Sequence, residues 1–363
     1  MRSRVLGAAL FGLGVLALVF AGGLAFVVAP TVEQLPYDLK PTQSVAVAPN
    51  ARFLQITAGK AEVVEGVELR STITVTPDAK ATSALSDPLD GEAVVWLVGQ
   101  QVVRTDTNAL ISAYSTSLAL DRQTAAAQPW DKAWLDTGNN QESIAYSGQI
   151  YKFPFGTEKK DYEIYDRDIL KTVPAKFVKT QQIEGLETYQ FTQEIRDEIQ
   201  ELPADRLTVL TSQLLKGGAT GKVHYNNTRT VWVEPATGQY LKVEEKQSKS
   251  LVSDDGQSVS ILDATFTYTD DTIKNAAETS GDNRQKLQLV GVWAPIGLAV
   301  LGAVLIIAAL FLLNRRQTAP AAPAPKHNPR HSASGAADDT TAEVDTNDDT
   351  TVDTSKTSAQ KAE

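Results

Sequence analysis

The sequence has no cysteine, one methionine and three histidines among its 363 residues. The lack of cysteine excludes disulfide bonds, thiolate metal sites and cysteine nucleophiles. A domain of more than about 150 residues still buries enough apolar surface to fold without disulfides. The net charge is −10. Because nucleic-acid binding needs a basic face, this composition predicts no nucleic-acid partner.

Signatures of catalysis and metal binding are equally sparse. His224 stands alone on a predicted strand without a G-x-S-x-G sequence, and His327 and His331 lie in a proline-rich C-terminal segment. The DTG string at 136–138 resembles an aspartic-protease loop, but a single copy supplies one of the two carboxylates, and the string also suits a turn. The sequence therefore predicts a non-enzymatic protein with no metal and no cofactor.

Two long uncharged runs occupy residues 5–29 and 290–313. The second run would form a helix of roughly 36 Å, which spans a hydrocarbon core of about 30 Å. Trp293 suits a membrane interface near one end of this run. The first run has a signal peptide as its alternative interpretation, but its length exceeds the roughly 7–15 apolar residues of a signal sequence. We therefore expect two transmembrane helices.

Basic residues beside the two runs predict the orientation. Arg2 and Arg4 precede the first run, and Arg315 and Arg316 follow the second. By the positive-inside rule both termini are cytoplasmic and the main domain is extracytoplasmic, or periplasmic, on the inner (plasma) membrane. The predicted order is a cytoplasmic N-terminus (1–4), a transmembrane helix (5–29), a β-rich domain (30–270), a stalk (271–289), a transmembrane helix (290–313) and a cytoplasmic tail (314–363).

The region 30–270 is typical of a mainly β (α+β) domain, in which an antiparallel sheet or barrel-like arrangement has room for an internal lipid cavity. Ile73 and Val75 alternate with threonines, as in a strand with one buried face. The clearest hairpin joins 230–234 to 239–245 through a four-residue loop that suits a type I turn. Leucines at helical spacing within 202–215 predict an amphipathic helix, either packed on the sheet or forming a lid.

The C-terminal tail is acidic, with seven carboxylates and no basic residue between Ser332 and Ser355. Such a segment buries too little apolar surface to offset its ordering entropy, so it is predicted to be disordered. Its alternative role is to dock a basic cytoplasmic partner.

Aromatic residues are densest between Trp96 and Tyr165. They suit either the β core or the wall of an apolar cavity for a lipid chain. Under the second interpretation, the candidate lipid-binding residues are Trp96, Trp130, Trp134, Phe153, Phe155 and Tyr162. Lys159 and Lys160 are the candidates for contact with a lipid head group.

Three stretches carry a family resemblance. They are GQIYKFPFGTEKKDYEIYDRDI (148–169), IEGLETYQFTQEI (183–195) and TVWVEPATGQ (230–239). Together with the outline of span, β-rich domain and span, they resemble the actinobacterial family named after the porin PorA, some members of which are similar to the polar growth factor PgfA. The resemblance covers roughly residues 5–316.

This resemblance implies a lipid-trafficking module of a mycolate cell envelope. It would handle trehalose monomycolate or a related glycolipid or phospholipid, with an RND-type mycolate exporter and envelope or polar growth proteins as partners. The alternatives are a non-enzymatic membrane scaffold, an envelope acyl or glycosyl transferase, or a porin. Outer-membrane porins are closed barrels that cross the membrane with β-strands, so the two predicted helical spans favour the lipid-handling interpretation.

Overall fold

The structure is a computed structural model that describes residues 2–138, 141–218 and 220–314. The predictions for the acidic tail, for Arg315 and Arg316, and for His327 and His331 lie outside these residues.

A single antiparallel sheet forms the body of the protein, which confirms the predicted mainly β fold. Its strands are β1 (Thr42–Thr57), β2 (Lys60–Pro77), β3 (Ala93–Arg104), β4 (Leu110–Asp121), β5 (Ala127–Gln128), β6 (Trp134–Asp136), β7 (Gln141–Ser143), β8 (Tyr162–Asp166), β9 (Lys171–Ile183), β10 (Leu186–Gln200), β11 (Gly221–Glu234), β12 (Gln239–Ser253) and β13 (Ser258–Tyr268). Their order is β7-β6-β4-β3-β2-β1-β13-β12-β11-β10-β9-β8, with β5 paired to β4.

The sheet consists of two up-and-down meanders joined by the pairing of β1 with β13. The strand order is open, with β7 and β8 at its two ends. At one level the backbone links the two sides, because Ala127 N–H donates to Gly148 O at 2.8 Å and Gln149 N–H donates to Glu163 O at 2.7 Å. Twisted sheets of more than about ten strands tend to curl, and this one curls until its two halves face each other.

The predicted hairpin is the β11–β12 pair, and its loop is 235–238 as expected. Gly238 closes the loop at φ +69, where its N–H donates to Glu234 O at 2.8 Å. A side chain at Gly238 would collide with the Phe153 carbonyl oxygen. Glycine is therefore required at this position for two reasons: its left-handed backbone conformation and the close approach of a neighbouring segment.

Helix α3 (Ala79–Thr82) is a single turn, and α4 (Ala204–Leu214) is the predicted amphipathic helix. Leu210 of α4 is buried against Val223 and Leu251 of the sheet. The Gln213 side chain also binds the β1–β2 loop, donating to Gly59 O at 2.8 Å. Helix α4 therefore packs on the sheet, at the end of the strands away from the chain termini, and does not form a lid.

The two apolar runs are helices long and apolar enough to cross a membrane, at 4–32 and 270–314. The first comprises α1 (Arg2–Gly23), a π-helical turn at Leu24–Val28 and α2 (Ala29–Val32), and the second comprises α5 (Asp270–Gln288), a π-helical turn at Leu289–Trp293 and α6 (Ala294–Asn314). Most of their large apolar side chains are exposed, as expected for surfaces that face lipid. The protein is therefore a membrane protein.

Helix α5 occupies the segment expected to form the stalk. It begins at a side-chain cap, where Thr269 accepts a hydrogen bond from Thr272 N–H at 3.3 Å, and two aspartates follow in its first turn. It passes through Ser280 and Gly281 without a break and continues into the second span.

The two spans pack through small residues. A Cβ atom on Gly14 would lie 2.8 Å from Gly302 O, and a Cβ atom on Gly302 would lie 2.8 Å from Gly14 O. The absence of both side chains lets the helix backbones touch. Gly12, two residues from Gly14, has open space around it, as does Gly297 on α6.

We predict that Gly302→Val pushes the spans apart, since overpacking of this kind costs about 1–3 kcal/mol. Because the chain lacks cysteine, an engineered Gly7→Cys, Leu313→Cys pair reports span contact through its rate of oxidative cross-linking. The rate should fall severalfold with Gly302→Val and stay unchanged with the matched control Gly297→Val. Equal rates in the two variants would show that the glycine contact does not hold the spans together.

Candidate functional site

A cavity of about 910 Å³ lies on the concave face of the curled sheet. Alternate residues of the strands form its wall, because successive side chains of a strand point to opposite faces. Ile73 and Val75 of β2, whose alternation marked a buried face in the sequence, are part of it. The apolar wall also contains Leu35, Leu39, Trp96, Val102, Ile111, Val231, Val243, Leu262 and Phe266.

The cavity extends out of the sheet to the membrane helices. One side of this extension is the end of α2 and the chain that follows it, including Val32, Leu35 and Leu39. The other side is α5, from Thr272 to Leu287, and the wall ends at Val290 in the second span. The cavity therefore runs from the start of the two spans into the β domain.

Hydrogen bonds to β1 fix the position of α5 at this opening. Thr272 of α5 bonds to both backbone groups of Val45 in β1, with its Oγ1 accepting from Val45 N–H at 3.0 Å and donating to Val45 O at 3.1 Å. Thr269 N–H donates to Val45 O at 3.0 Å as well. The helix that leads to the second span is thus attached to the strand that follows the first span.

A network of charged side chains lies deep in the wall, and Arg229 is its centre. Its guanidinium contacts Glu245 at 2.6 Å and Asp166 at 3.2 Å, and it donates to Gln193 Oε1 at 3.0 Å. Tyr225 donates to Asp166 at 3.2 Å. Burial raises the pKa of Asp166, and the opposing effect of Arg229 does not fully offset it.

Asp168 forms the second half of the network. It accepts from Lys249 at 2.9 Å and from Gln200 at 2.7 Å, and Arg167 lies 3.4 Å away. Burial alone would raise the pKa of Asp168, but Lys249 and Arg167 outweigh it and hold the pKa below its usual value. The Arg167 guanidinium also stacks over the Tyr114 ring, 4.1 Å from its centroid.

Lys152 lies in the cavity wall apart from this network. Its ammonium group donates to Phe153 O at 3.0 Å and lies 3.6 Å from the centroid of the Phe155 ring. Burial lowers the pKa of Lys152 to about 7, although the charge of Glu234 acts to raise it.

The three sequence blocks that carry the family resemblance meet beside the cavity. Backbone bonds join the first block to the β11–β12 loop, from Phe153 N–H to Gly238 O at 2.8 Å and from Thr157 N–H to Pro235 O at 2.8 Å. Phe153 then packs with Phe191 of the second block, their ring centroids 4.8 Å apart. The blocks therefore share one core and fix the KFPF segment against the sheet.

The predicted lipid-contact residues separate into groups. Trp96 and Phe155 line the cavity. Phe153 and Tyr162 pack against each other in the neighbouring core, with ring centroids 4.8 Å apart. Trp130 packs beside two core clusters under β3 and β4.

Trp134 lies on β6, where its carbonyl oxygen accepts from Thr116 at 2.6 Å. Lys159 lies over the Tyr189 ring, and Lys160 forms a surface ion pair with Glu158. These three side chains, together with Trp130, Phe153 and Tyr162, do not belong to the cavity wall. The role in lipid binding of all eight residues stays a prediction.

The DTG string and His224 each make a local side-chain contact. Asp136 accepts from Gly138 N–H at 2.7 Å, and Gly138 has a φ of +97, which is the turn interpretation of this string. His224 Nδ1 lies 2.7 Å from Asp197 Oδ1 on the surface.

Sequence reasoning missed Lys152, the charged network and the contribution of α5 to the wall. A signal was present for the network, because Asp166, Arg167 and Asp168 are consecutive in the most distinctive block. The predicted hairpin also brings Arg229 opposite Glu245. The contribution of α5 had no comparable signal, since it depends on how the helix leaves β13.

We predict that Arg229→Met destabilises the protein by about 3–5 kcal/mol, because Asp166 and Glu245 lose their buried counter-ion. The measurement is thermal unfolding of the full chain in detergent, followed by tryptophan fluorescence. The matched control is Arg196→Met, which removes an exposed pair with Glu194 and should cost less than about 1 kcal/mol. Similar losses in both variants would contradict a structural role for the buried network.

Comparison with known proteins assigns the family. A family model described as Porin PorA matches residues 6–311. The chain is similar to a Porin PorA of Corynebacterium amycolatum, with 23% identity covering 61% of this chain and 71% of the relative. It is also similar to a Porin PorA of Corynebacterium resistens, with 26% identity covering 53% of this chain and about half (52%) of the relative. Since the family match includes both apolar helices and the whole sheet between them, the chain belongs to the PorA family.

Proposed function

We propose that this protein is a lipid-binding and trafficking module, which holds the acyl part of an envelope lipid in the cavity between its sheet and its membrane helices. The observation that carries the proposal is the position of the cavity. The cavity reaches from Val290, in the second span, to Trp96 in the β domain. Its α5 side is largely polar, while Val32, Leu35 and Leu39 give the opposite side apolar surface along which a lipid chain could pass from the bilayer into the protein.

The size and chemistry of the cavity support this proposal. Its volume of about 910 Å³ lies near the upper end of the range of about 300–1,000 Å³ for small-molecule sites. Each methylene group that leaves water for such a wall contributes about 0.8 kcal/mol. Polar groups also line the wall, where Gln100 Nε2 donates to Ser71 Oγ at 2.6 Å, and such groups offer contacts for hydroxyl groups of a ligand.

The cellular setting belongs to the same proposal. The sheet domain would lie on the periplasmic side of the inner membrane, with both termini in the cytoplasm. The family resemblance makes trehalose monomycolate, or a related glycolipid or phospholipid, the candidate cargo. An RND-type exporter and proteins of polar growth would then be the partners.

A channel is the second candidate, because the relatives carry the name of a porin. In the described residues, the large exposed apolar side chains concentrate on the two helical runs, and only a few lie on the sheet. A pore built by this chain would therefore place helices against the lipid. Single-channel conductance of the purified full chain in a planar bilayer distinguishes this function from lipid binding.

We predict that the full chain, purified in detergent from a mycolate-producing host, carries bound lipid that native mass spectrometry and solvent extraction detect. Ala276→Trp places a large side chain in the cavity from α5 and should lower lipid occupancy about tenfold. Displacing two methylene groups of the lipid from the apolar wall is enough to weaken binding by about this factor. The matched control is Lys274→Trp, an exposed site on the same helix that lies outside the cavity wall.

Full occupancy in Ala276→Trp would remove the cavity from the lipid site. A wild-type protein that folds and carries no lipid would instead favour the scaffold function, in which the spans and the tail recruit other proteins.

A further inference from the structure

The charge of the cavity wall is opposite to the charge of the whole chain. The sequence has 34 lysines and arginines against 44 aspartates and glutamates. Among the described residues, the wall has seven lysines and arginines and three carboxylates. The three carboxylates are those of Asp166, Asp168 and Glu245, and each forms an ion pair with Arg229 or Lys249. The excess charge in the cavity is therefore positive.

Most of the excess cations have an evident environment. Lys40 and Lys286 are exposed near the opening, where water solvates them. Arg122 donates to Leu35 O at 2.9 Å and to Tyr37 Oη at 3.0 Å, and it stacks on the Tyr37 ring. Arg122 thus fastens the chain that follows the first span and has little capacity left for a ligand.

Lys152 differs from these three cations. It is partly buried in the wall, and within the described ranges no carboxylate lies in ion-pair distance of its ammonium group. An ammonium group has three N–H donors, of which one reaches Phe153 O and the π-face of Phe155 takes another direction. Glu234 acts on Lys152 without forming an ion pair with it. Since a buried cation outside an ion pair is costly, Lys152 is a site where an anion would be stabilised.

The position of Lys152 suits a lipid head group. Phe155, which Lys152 overlies, donates its N–H to Gln123 O at 3.4 Å, and the adjacent Arg122 O accepts from Leu35 N–H at 2.7 Å. These contacts place Lys152 close to the chain that follows the first span. Apolar side chains such as Ile73, Val102 and Leu262 line the same cavity.

We propose that Lys152 binds an anionic head group, a phosphate or a carboxylate, of an amphiphile whose acyl chain occupies the apolar part of the cavity. This inference rests on the proposed lipid-binding function and narrows it, because it favours an anionic lipid over a neutral glycolipid. A phosphodiester or carboxylate oxygen at Lys152 would accept a charge-assisted hydrogen bond, which is stronger than a bond between neutral groups.

The test compares three probes bound to the full chain in detergent, with affinity measured by displacement of a fluorescent fatty acid. The probes are phosphatidylglycerol for the phosphate, palmitate for the carboxylate and palmitoyl trehalose as the neutral amphiphile. We expect Lys152→Met to weaken one or both anionic probes by roughly tenfold or more, the effect of losing a hydrogen bond to a charged group. Palmitoyl trehalose should bind equally to both proteins.

Two matched variants complete the comparison. Lys159→Met removes an exposed lysine seven positions away that lies outside the wall, and it should leave all three affinities unchanged. Lys152→Arg keeps the positive charge and should restore most of the anionic affinity. The probe that responds to Lys152→Met identifies the source of the anion.

The pH dependence gives a second readout. Since the pKa of free Lys152 is about 7, the ammonium group is charged below this pH and neutral above it. Glu234 is the charged group that acts on it, and the Phe153 carbonyl and Phe155 ring are its contacts. Phosphatidylglycerol stays ionised, so its affinity should fall by up to about tenfold per pH unit as pH rises from about 7 to about 9. In Lys152→Met this fall should be absent.

The inference is overturned if Lys152→Met leaves both anionic probes unaffected, or if it weakens palmitoyl trehalose by the same factor. If the wild-type protein still binds lipid, either result refutes only the binding of an anionic head group at Lys152 and leaves the proposed lipid-binding function intact. If the wild-type protein binds none of the three probes, the lipid-binding function itself is refuted.

Discussion

The pairing of β1 with β13 is the constraint on which the rest of the structure depends. It joins the two meanders, and it places the start of the β domain beside its end, with Ala46 opposite Tyr268. The chain therefore enters the β domain from the first span and leaves it toward the second span at the same end of the strands. Thr272 strengthens this junction by bonding both backbone groups of Val45. The contact between the spans through Gly14 and Gly302 follows from the same arrangement.

The cavity results from this junction and from the curl of the sheet. Neither meander alone encloses a volume, because β2 and β3 contribute one wall and β11 and β12 the opposite wall. The buried network around Arg229 lies within the second meander, from Glu245 of β12 to Asp166 of β8, and Arg167 contacts the first meander through the Tyr114 ring of β4. It gives this part of the cavity wall a polar character in which the charges are balanced.

Much of the fold could be predicted from local patterns. Alternation at Ile73 and Val75 predicted a strand, the loop 235–238 predicted a hairpin, and leucine spacing predicted α4. The uncharged runs predicted both membrane helices. These signals are readable because each depends on residues close together in the chain.

The site was harder to predict, because its residues come together only through long-range pairing. The dense aromatic region gave Trp96 and Phe155, which line the cavity, but it also gave Phe153 and Tyr162, which pack in the adjacent core. Aromatic side chains serve both purposes, and composition does not distinguish them. Lys152 lies within the KFPF block, yet its isolation from carboxylates is a property of the folded wall that no spacing in the sequence reveals.

The second membrane helix and one wall of the cavity are a single run of helix, 45 residues from Asp270 to Asn314. At about 1.5 Å per residue, such a run extends roughly 68 Å. Spans tilt to match the thickness of the bilayer around them, and a tilt of α6 moves α5 with it unless the π-helical turn at Leu289–Trp293 absorbs the change. Because α5 forms one side of the cavity opening, a change in the tilt of the second span would move that side.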